Sequence, residues 1–159
     1  MQVKTQGLII REQTVGESDR LVTVLTRDAG VVRAFARRAK NLKDSKSAAT
    51  QLLCYSRLSI FKGREKYMID DAEPIEVFFG IRRDIAALSL AQYFCELAYL
   101  MVPEDTDSEE YLRLILNSLH FLIKGHAADT AVAVRDRAAY ALVGWLYAKF
   151  SCVRKLRRV

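Results

Sequence analysis

Two different spacings of apolar residues divide this chain of 159 residues. In the N-terminal half, short runs of β-branched and apolar residues alternate with polar positions, which is typical of β-strands. The runs predict five strands, at residues 2–15, 21–25, 31–36, 51–62 and 66–70. Asp28-Ala29-Gly30 predicts a tight turn with Gly30 at positive φ. Gly7 predicts a bulge in the first strand, and Pro74 is expected to close the strand region.

From Gly80 onward the apolar residues recur at helical spacing. A first helix is expected to end at Pro103, a second to begin at a capping Ser108 and stop at Gly125, and a third to run from about Asp129 to Phe150. The pattern therefore predicts an α+β chain, with a small five-stranded β-barrel in residues 1–78 and an α-helical domain in residues 79–159. The OB-fold, which binds oligonucleotides, is a barrel of this kind. An SH3-like barrel or a half-sandwich would give nearly the same pattern.

Positive charge is concentrated after the third predicted strand. Residues 33–46 contain six Lys or Arg and one acidic residue, within a chain of net charge +6 and a pI of about 9.3. This density is typical of a surface for a polyphosphate partner, although an exposed, solvated loop has the same composition. The candidate nucleic-acid-binding residues are Arg33, Arg37, Arg38, Lys40, Lys43, Lys46, Arg57 and Arg64. The rings of Phe35, Tyr55 and Tyr67 are candidates for base stacking or, alternatively, for the barrel core.

Other kinds of site find little support in the sequence. It has no Gly-rich phosphate loop, no HExxH motif and no paired nucleophile and base, which argues against an enzyme. Cys54 and Cys95 are expected to be small core residues, and His120 and His126 to be surface or capping residues. Three distant cysteines and the lack of a long apolar segment predict a cytoplasmic protein with no membrane partner.

Four stretches resemble the RecO family of bacterial recombination mediators. They are residues 4–11 (KTQGLIIR), residues 16–30 (GESDRLVTVLTRDAG), residues 36–40 (ARRAK) followed by Lys43 and Lys46, and residues 73–84, which begin EPIE and end IRRD. The resemblance implies an OB-fold followed by helices, and DNA contacts on the barrel and its basic loop. It also implies binding of single- and double-stranded DNA in the nucleoid and annealing of complementary strands. The implied partners are RecR and the single-stranded-DNA-binding protein, with loading of the RecA recombinase as the indirect outcome.

The end of the chain departs from this family. Many members carry a cysteine cluster that can hold zinc, whereas this chain has a lone Cys152, so we expect no cofactor and a helical domain that is incomplete. One hypothesis is a +1 frameshift, because codons for residues 146–156 can be chosen so that the next frame encodes a family-like CxxC segment. Roughly the last 25 residues would then not be a selected sequence, and their basic tail would have no meaning for function. The alternative function is a protein-interaction module that docks repair or regulatory proteins without binding DNA.

Overall fold

A computed structural model describes residues 2–39, 45–64 and 66–124 of the chain. The elements, in chain order, are β1 (Gln2–Val15), β2 (Asp19–Thr26), β3 (Val31–Ala36), α1 (Ser45–Ala49), β4 (Cys54–Lys62), β5 (Tyr67–Val77), a 3₁₀ helix (Phe79–Arg83), α2 (Ile85–Met101) and α3 (Glu109–Lys124). The helix expected at 129–150 and the C-terminal tail lie outside the described residues. No helix in the described part of the chain is long and apolar enough to cross a membrane.

The five strands close into a barrel in the order β1-β2-β3-β5-β4, with β4 pairing back to β1. All neighbours are antiparallel except β3 and β5, which are parallel. Alternate side chains point inward and fill the barrel, among them Ile9, Val22, Val24, Ala34, Leu58 and Ile69. This is an OB-fold, so the predicted α+β class, with a barrel followed by helices, is confirmed.

A second core joins the barrel to the helices. Leu8, Leu25 and Val31 lie on the outer face of β1–β3 and pack with buried residues of α2 and α3, including Phe94 and Ile115. The helices therefore cover this part of the outer face, and the barrel and the helices share one apolar core.

Backbone contacts hold the turn between β2 and β3 against the loop between α2 and α3. Gly30 has φ +68° and pairs with Glu104, so the positive φ predicted for Gly30 is confirmed. The amide of Asp105 donates to the Ala29 carbonyl at 3.0 Å, and the amide of Ser108 donates to the Arg27 carbonyl at 3.0 Å. Beside them, the side chain of Arg27 forms an ion pair with Glu109 at 3.0 Å.

The bulge expected at Gly7 lies three residues further along. The register of β1 against β2 shifts between Ile9 and Arg11, whereas Gly7 pairs regularly with Thr26. A Cβ atom at Gly7 would lie 2.5 Å from Val24 Cγ1 and 2.8 Å from the Leu25 carbonyl oxygen. Gly7 is therefore required by the close approach of β2 rather than by a bulge.

Pro74 does not end the strand region, because β5 continues through it to Val77. Beyond Ile69 the strand no longer pairs with β3, and the ladder to β4 is irregular between Tyr55 and Ser56, next to Pro74. A missing amide donor is tolerated at such an irregular edge position.

The ends of two other segments also differ from the sequence prediction. Ser108 precedes α3, but its hydroxyl does not cap that helix: it donates to the Thr26 carbonyl at 2.6 Å, and Asp107 accepts the amide of Glu109 instead.

The last part of the basic arm forms α1, which packs against β5 with Ala49 and Thr50 fully buried. The segment is thus partly fixed to the barrel.

Candidate nucleic-acid interface

Beyond the part covered by the helical core, the outer face of β1–β3 carries two rows of side chains, in which Thr23 is buried and Arg33 is exposed. After the register shift in β1, Arg11 pairs with Thr23, and Thr23 pairs with Arg33 on the next strand. The adjacent row consists of Gln13, Leu21 and Phe35. Cross-strand partners lie on the same face of a sheet, so these six side chains form one surface. The β2–β3 surface of an OB-fold is where oligonucleotides bind.

Helix α2 runs beside this surface and leaves a cleft of about 740 Å³. One stripe of the helix lines the cleft, since its contributing positions recur at intervals of three or four residues. These positions are Ser89, Gln92, Tyr93, Glu96 and Tyr99, and the opposite wall includes Thr23 and Arg33. The stripe is polar and aromatic, unlike the apolar stripe that the same helix buries against α3.

The two arginines of the first row differ in their partners. Arg11 donates to Glu96 at 2.7 Å, and its guanidinium lies 3.7 Å from the centre of the Tyr99 ring. Arg33 is exposed and forms no ion pair with any residue in the described ranges 2–39, 45–64 and 66–124. In the cleft, therefore, the charge of Arg11 is compensated, and that of Arg33 is available to an anionic ligand.

The three candidate stacking rings are all half-buried, in different places. Tyr55 packs against the helical core and donates its hydroxyl to Gln6 at 2.7 Å. Tyr67 packs against the barrel core, with Lys62 5.4 Å from the ring centre. A hydrogen bond with Tyr67 is the main cause that raises the pKa of Lys62. Phe35 lies on the outer face, with Lys66 5.3 Å from its ring centre.

The predicted cations occupy several parts of the barrel. Arg37 and Arg38 are exposed in the turn that follows β3, where the Arg38 amide donates to Asp19 at 2.9 Å. Arg64 is exposed in the turn between β4 and β5. Arg57 lies on β4, away from β2 and β3, and pairs with Glu73 at 2.9 Å.

The remaining cations of the predicted set lie in or next to α1. Lys46 is half-buried in α1, and Lys40 and Lys43 lie outside the described residues. Arg33, Arg37 and Arg38 thus lie on one strand and in the turn that follows it. Sequence reasoning missed Arg11, Tyr93 and Tyr99, and the available signal was the polar and aromatic stripe of α2.

The side chains that could bind a metal do not converge in the described part of the chain. No group of three His, Cys, Asp or Glu residues there could hold an ion, so the described residues do not fit a zinc site. Cys54 lies in the barrel core and Cys95 in the helical core, which confirms their predicted positions. Burial raises the pKa of both thiols, that of Cys95 to about 12, and a neutral thiol is a poor metal ligand. Cys152 lies outside the described residues.

His120 connects α3 to the barrel. Its Nε2 atom lies 2.9 Å from both carboxylate oxygens of Glu76, and its Nδ1 atom lies 2.8 Å from the Leu116 carbonyl oxygen. The ring also contacts Phe78 edge-on. These contacts give His120 a structural role beyond the surface or capping role expected from the sequence. His126 lies outside the described residues.

Two profiles of one protein family match this chain. A profile described as "Recombination protein O N terminal" matches residues 1–78, and one described as "Recombination protein O C terminal" matches residues 82–158. The chain belongs to the RecO family. The resemblance stated from the four sequence stretches is confirmed, and RecO proteins act in DNA repair and recombination.

Individual RecO relatives support the same assignment. A DNA repair protein RecO of Acetivibrio thermocellus is 36% identical over 122 residues, which are 77% of this chain and 49% of that protein. A DNA repair protein RecO of Caldicellulosiruptor bescii is 29% identical over 156 residues, which are 98% of this chain and 64% of that protein. The chain spans about half the length of several curated RecO relatives that it matches.

Proposed function

We propose that this chain binds single-stranded DNA on the outer face of β2 and β3 and promotes annealing of complementary strands. Its action would consist of binding without catalysis. By its family resemblance, it would work with RecR and the single-stranded-DNA-binding protein to load the RecA recombinase. Double-stranded DNA would be a second ligand, as the product of annealing.

Three exposed arginines without an ion pair lie on the proposed surface or next to it. Arg11, on the same surface, and Arg27 and Arg57, in other parts of the described chain, are each paired with a glutamate. Arg33, Arg37 and Arg38 are exposed and form no ion pair within the described residues. A cation without an acidic partner can neutralise a phosphate without first breaking an ion pair. Other exposed cations, among them Arg64, also lack an ion pair in the described ranges, so this feature alone does not single out a surface. The position of the three arginines on β3 and its exit, beside the β2–β3 surface where OB-folds bind oligonucleotides, supports this path for a DNA backbone.

Annealing follows from the same electrostatics. Two DNA strands repel each other, and each arginine bound to a phosphate removes part of that repulsion. A strand held by its phosphates keeps its base edges free for a complementary strand. The protein thus needs to provide only charge and a surface.

The first test is a fluorescence-anisotropy titration of the full chain with a short single-stranded oligonucleotide at two salt concentrations. Each phosphate contact contributes about 0.7 to the slope of log K against log salt for a single strand. Replacing Arg37 and Arg38 with glutamine should therefore weaken binding and lower the slope by about 1.4. The same variant should anneal complementary strands more slowly.

The matched control removes equal charge from another part of the molecule. Arg83 and Arg113 are exposed, the first in the 3₁₀ helix and the second in α3. The double variant Arg83→Gln and Arg113→Gln should keep the slope of the unmodified chain. An equal loss of slope in both variants would show that only net charge matters, and a folded chain without DNA binding would favour the protein-interaction module.

A further inference from the structure

We propose that α2 forms the second wall of the DNA site and that the cleft takes an unpaired base, which stacks on Tyr93 while Arg33 contacts the strand's phosphate. This inference rests on the proposed function. It adds a residue of the helical domain, and a preference for unpaired bases, to a site otherwise formed by the barrel.

The surface of α2 that lines the cleft is suited to a polar ligand. Phe94 and Cys95 of the same helix are buried in the core, but the Tyr93 ring remains 46% exposed and lines the cleft. Of its neighbours along the stripe, Gln92 can donate and accept hydrogen bonds, and Ser89, whose hydroxyl donates to the Ile85 carbonyl at 2.8 Å, can still accept one. An exposed aromatic ring flanked by hydrogen-bonding groups is the combination that recognises a nucleic acid base.

Contacts between α2 and the barrel position the wall that carries Tyr93. Phe94 and Cys95, next to Tyr93, are buried in the core that the helices share with the barrel. Beside them Arg11 of β1 bonds to Glu96 of the same helix. A binding site that exists before the ligand arrives loses less free energy to ordering when the ligand binds.

The size of the cleft indicates what it can enclose. A volume of about 740 Å³ lies within the range of about 300–1,000 Å³ typical of sites for single small ligands. A base inside a duplex has both ring faces covered by its neighbours, so only an unpaired base can offer a face to Tyr93.

The lining of the cleft carries two arginines and two glutamates, so the cleft itself has no net charge. Arg33 is the arginine of the lining that forms no ion pair among the described residues, and one cation holds a phosphate too weakly to retain a free nucleotide. Arg37 and Arg38 lie a few residues further along the same chain and are exposed. They are available to the phosphates of neighbouring nucleotides, which a free nucleotide lacks.

Photocross-linking tests this assignment directly. An oligothymidylate with one 5-iodouracil, bound to the full chain and irradiated, should cross-link to Tyr93, as mapped by mass spectrometry of tryptic peptides. The same base within a duplex should give no cross-link at Tyr93. Tyr93→Leu should weaken single-strand binding about tenfold, with an unchanged salt slope, because stacking releases no counterions.

Two variants serve as controls. Tyr93→Phe retains the ring and should bind like the unmodified chain. Phe121→Leu removes a similarly exposed ring from α3 and should also leave binding unchanged. Free thymidine monophosphate at an equal nucleotide concentration should not displace the oligonucleotide.

The outcomes separate this inference from the function on which it rests. Salt-dependent DNA binding that is unaffected by Tyr93→Leu, with cross-links elsewhere, would overturn the role of α2 and leave the proposed function intact. If the duplex cross-links to Tyr93 as efficiently as the single strand does, the cleft does not select an unpaired base. If the free nucleotide displaces the oligonucleotide, the cleft does not require a strand. Either result would overturn the assigned ligand. Absence of any DNA binding would overturn both proposals.

Discussion

Gly30 lies where the turn between β2 and β3 approaches the backbone of the loop between α2 and α3. A Cβ atom at Gly30 would lie 1.9 Å from the Pro103 carbonyl oxygen, and the residue has φ +68°. Gly30→Ala should therefore destabilise the chain by about 2–4 kcal/mol, through backbone strain together with displacement of the loop between α2 and α3. Urea denaturation followed by circular dichroism would measure this loss.

Gly16 provides the matched control for that prediction. It has φ +62°, close to the value at Gly30, but no atom lies within 4 Å of the Cβ position. Gly16→Ala should therefore reveal the backbone strain alone, about 1 kcal/mol. Equal losses for the two variants would show that the contact with Pro103 contributes nothing to stability.

At the scale of elements, α3 is fixed to β2 by the hydroxyl of Ser108. The side chain is buried and donates to the Thr26 carbonyl at 2.6 Å. Ser108→Ala should destabilise the chain by about 1–2 kcal/mol, because the carbonyl loses a buried donor. Ser118→Ala removes a hydroxyl that bonds only within α3, to Leu114, and should have a smaller effect in the same denaturation assay. A larger loss at Ser118 would contradict the role given to Ser108.

The sequence predicted most elements because their patterns are local. The alternation of β1 to β4 and the apolar spacing of α2 and α3 depend on residues close together in the chain. The errors arose where distant contacts decided the outcome. Pro74 is tolerated because β5 has already left β3, and the position of Gly7 is determined by Val24 and Leu25 of the neighbouring strand.

For the whole molecule, the candidate site could be predicted only in part. Charge density alone identified the segment that contains Arg33, Arg37 and Arg38. It could not show that Glu96 compensates Arg11 from 85 positions away, or that α2 forms a wall of the same cleft. Such pairings depend on how β1 and α2 pack, and no local spacing in the chain encodes them. Whether a cation is compensated is therefore visible only in the folded molecule.

Arg33 and Arg57 were both predicted from the sequence as DNA-binding residues, but they differ in whether an acidic side chain compensates their charge. Arg33 lies in the cleft without an acidic partner among the described residues, whereas Arg57 pairs with Glu73 on the opposite side of the barrel. Arg33→Gln should lower the salt slope of single-strand binding by about 0.7, the contribution of one phosphate contact. Arg57→Gln should leave the slope unchanged, because a surface ion pair contributes little and its loss removes no phosphate contact.

Anisotropy titrations of the two variants over the same salt series make this comparison at equal net charge. Equal slopes in the two variants would mean that DNA responds to the total charge of the barrel and not to its distribution. A lower slope for Arg57→Gln alone would move the DNA path to the β4–β5 side. A lower slope for Arg33→Gln alone would place the phosphate contact on β3, where the cation has no acidic neighbour to displace.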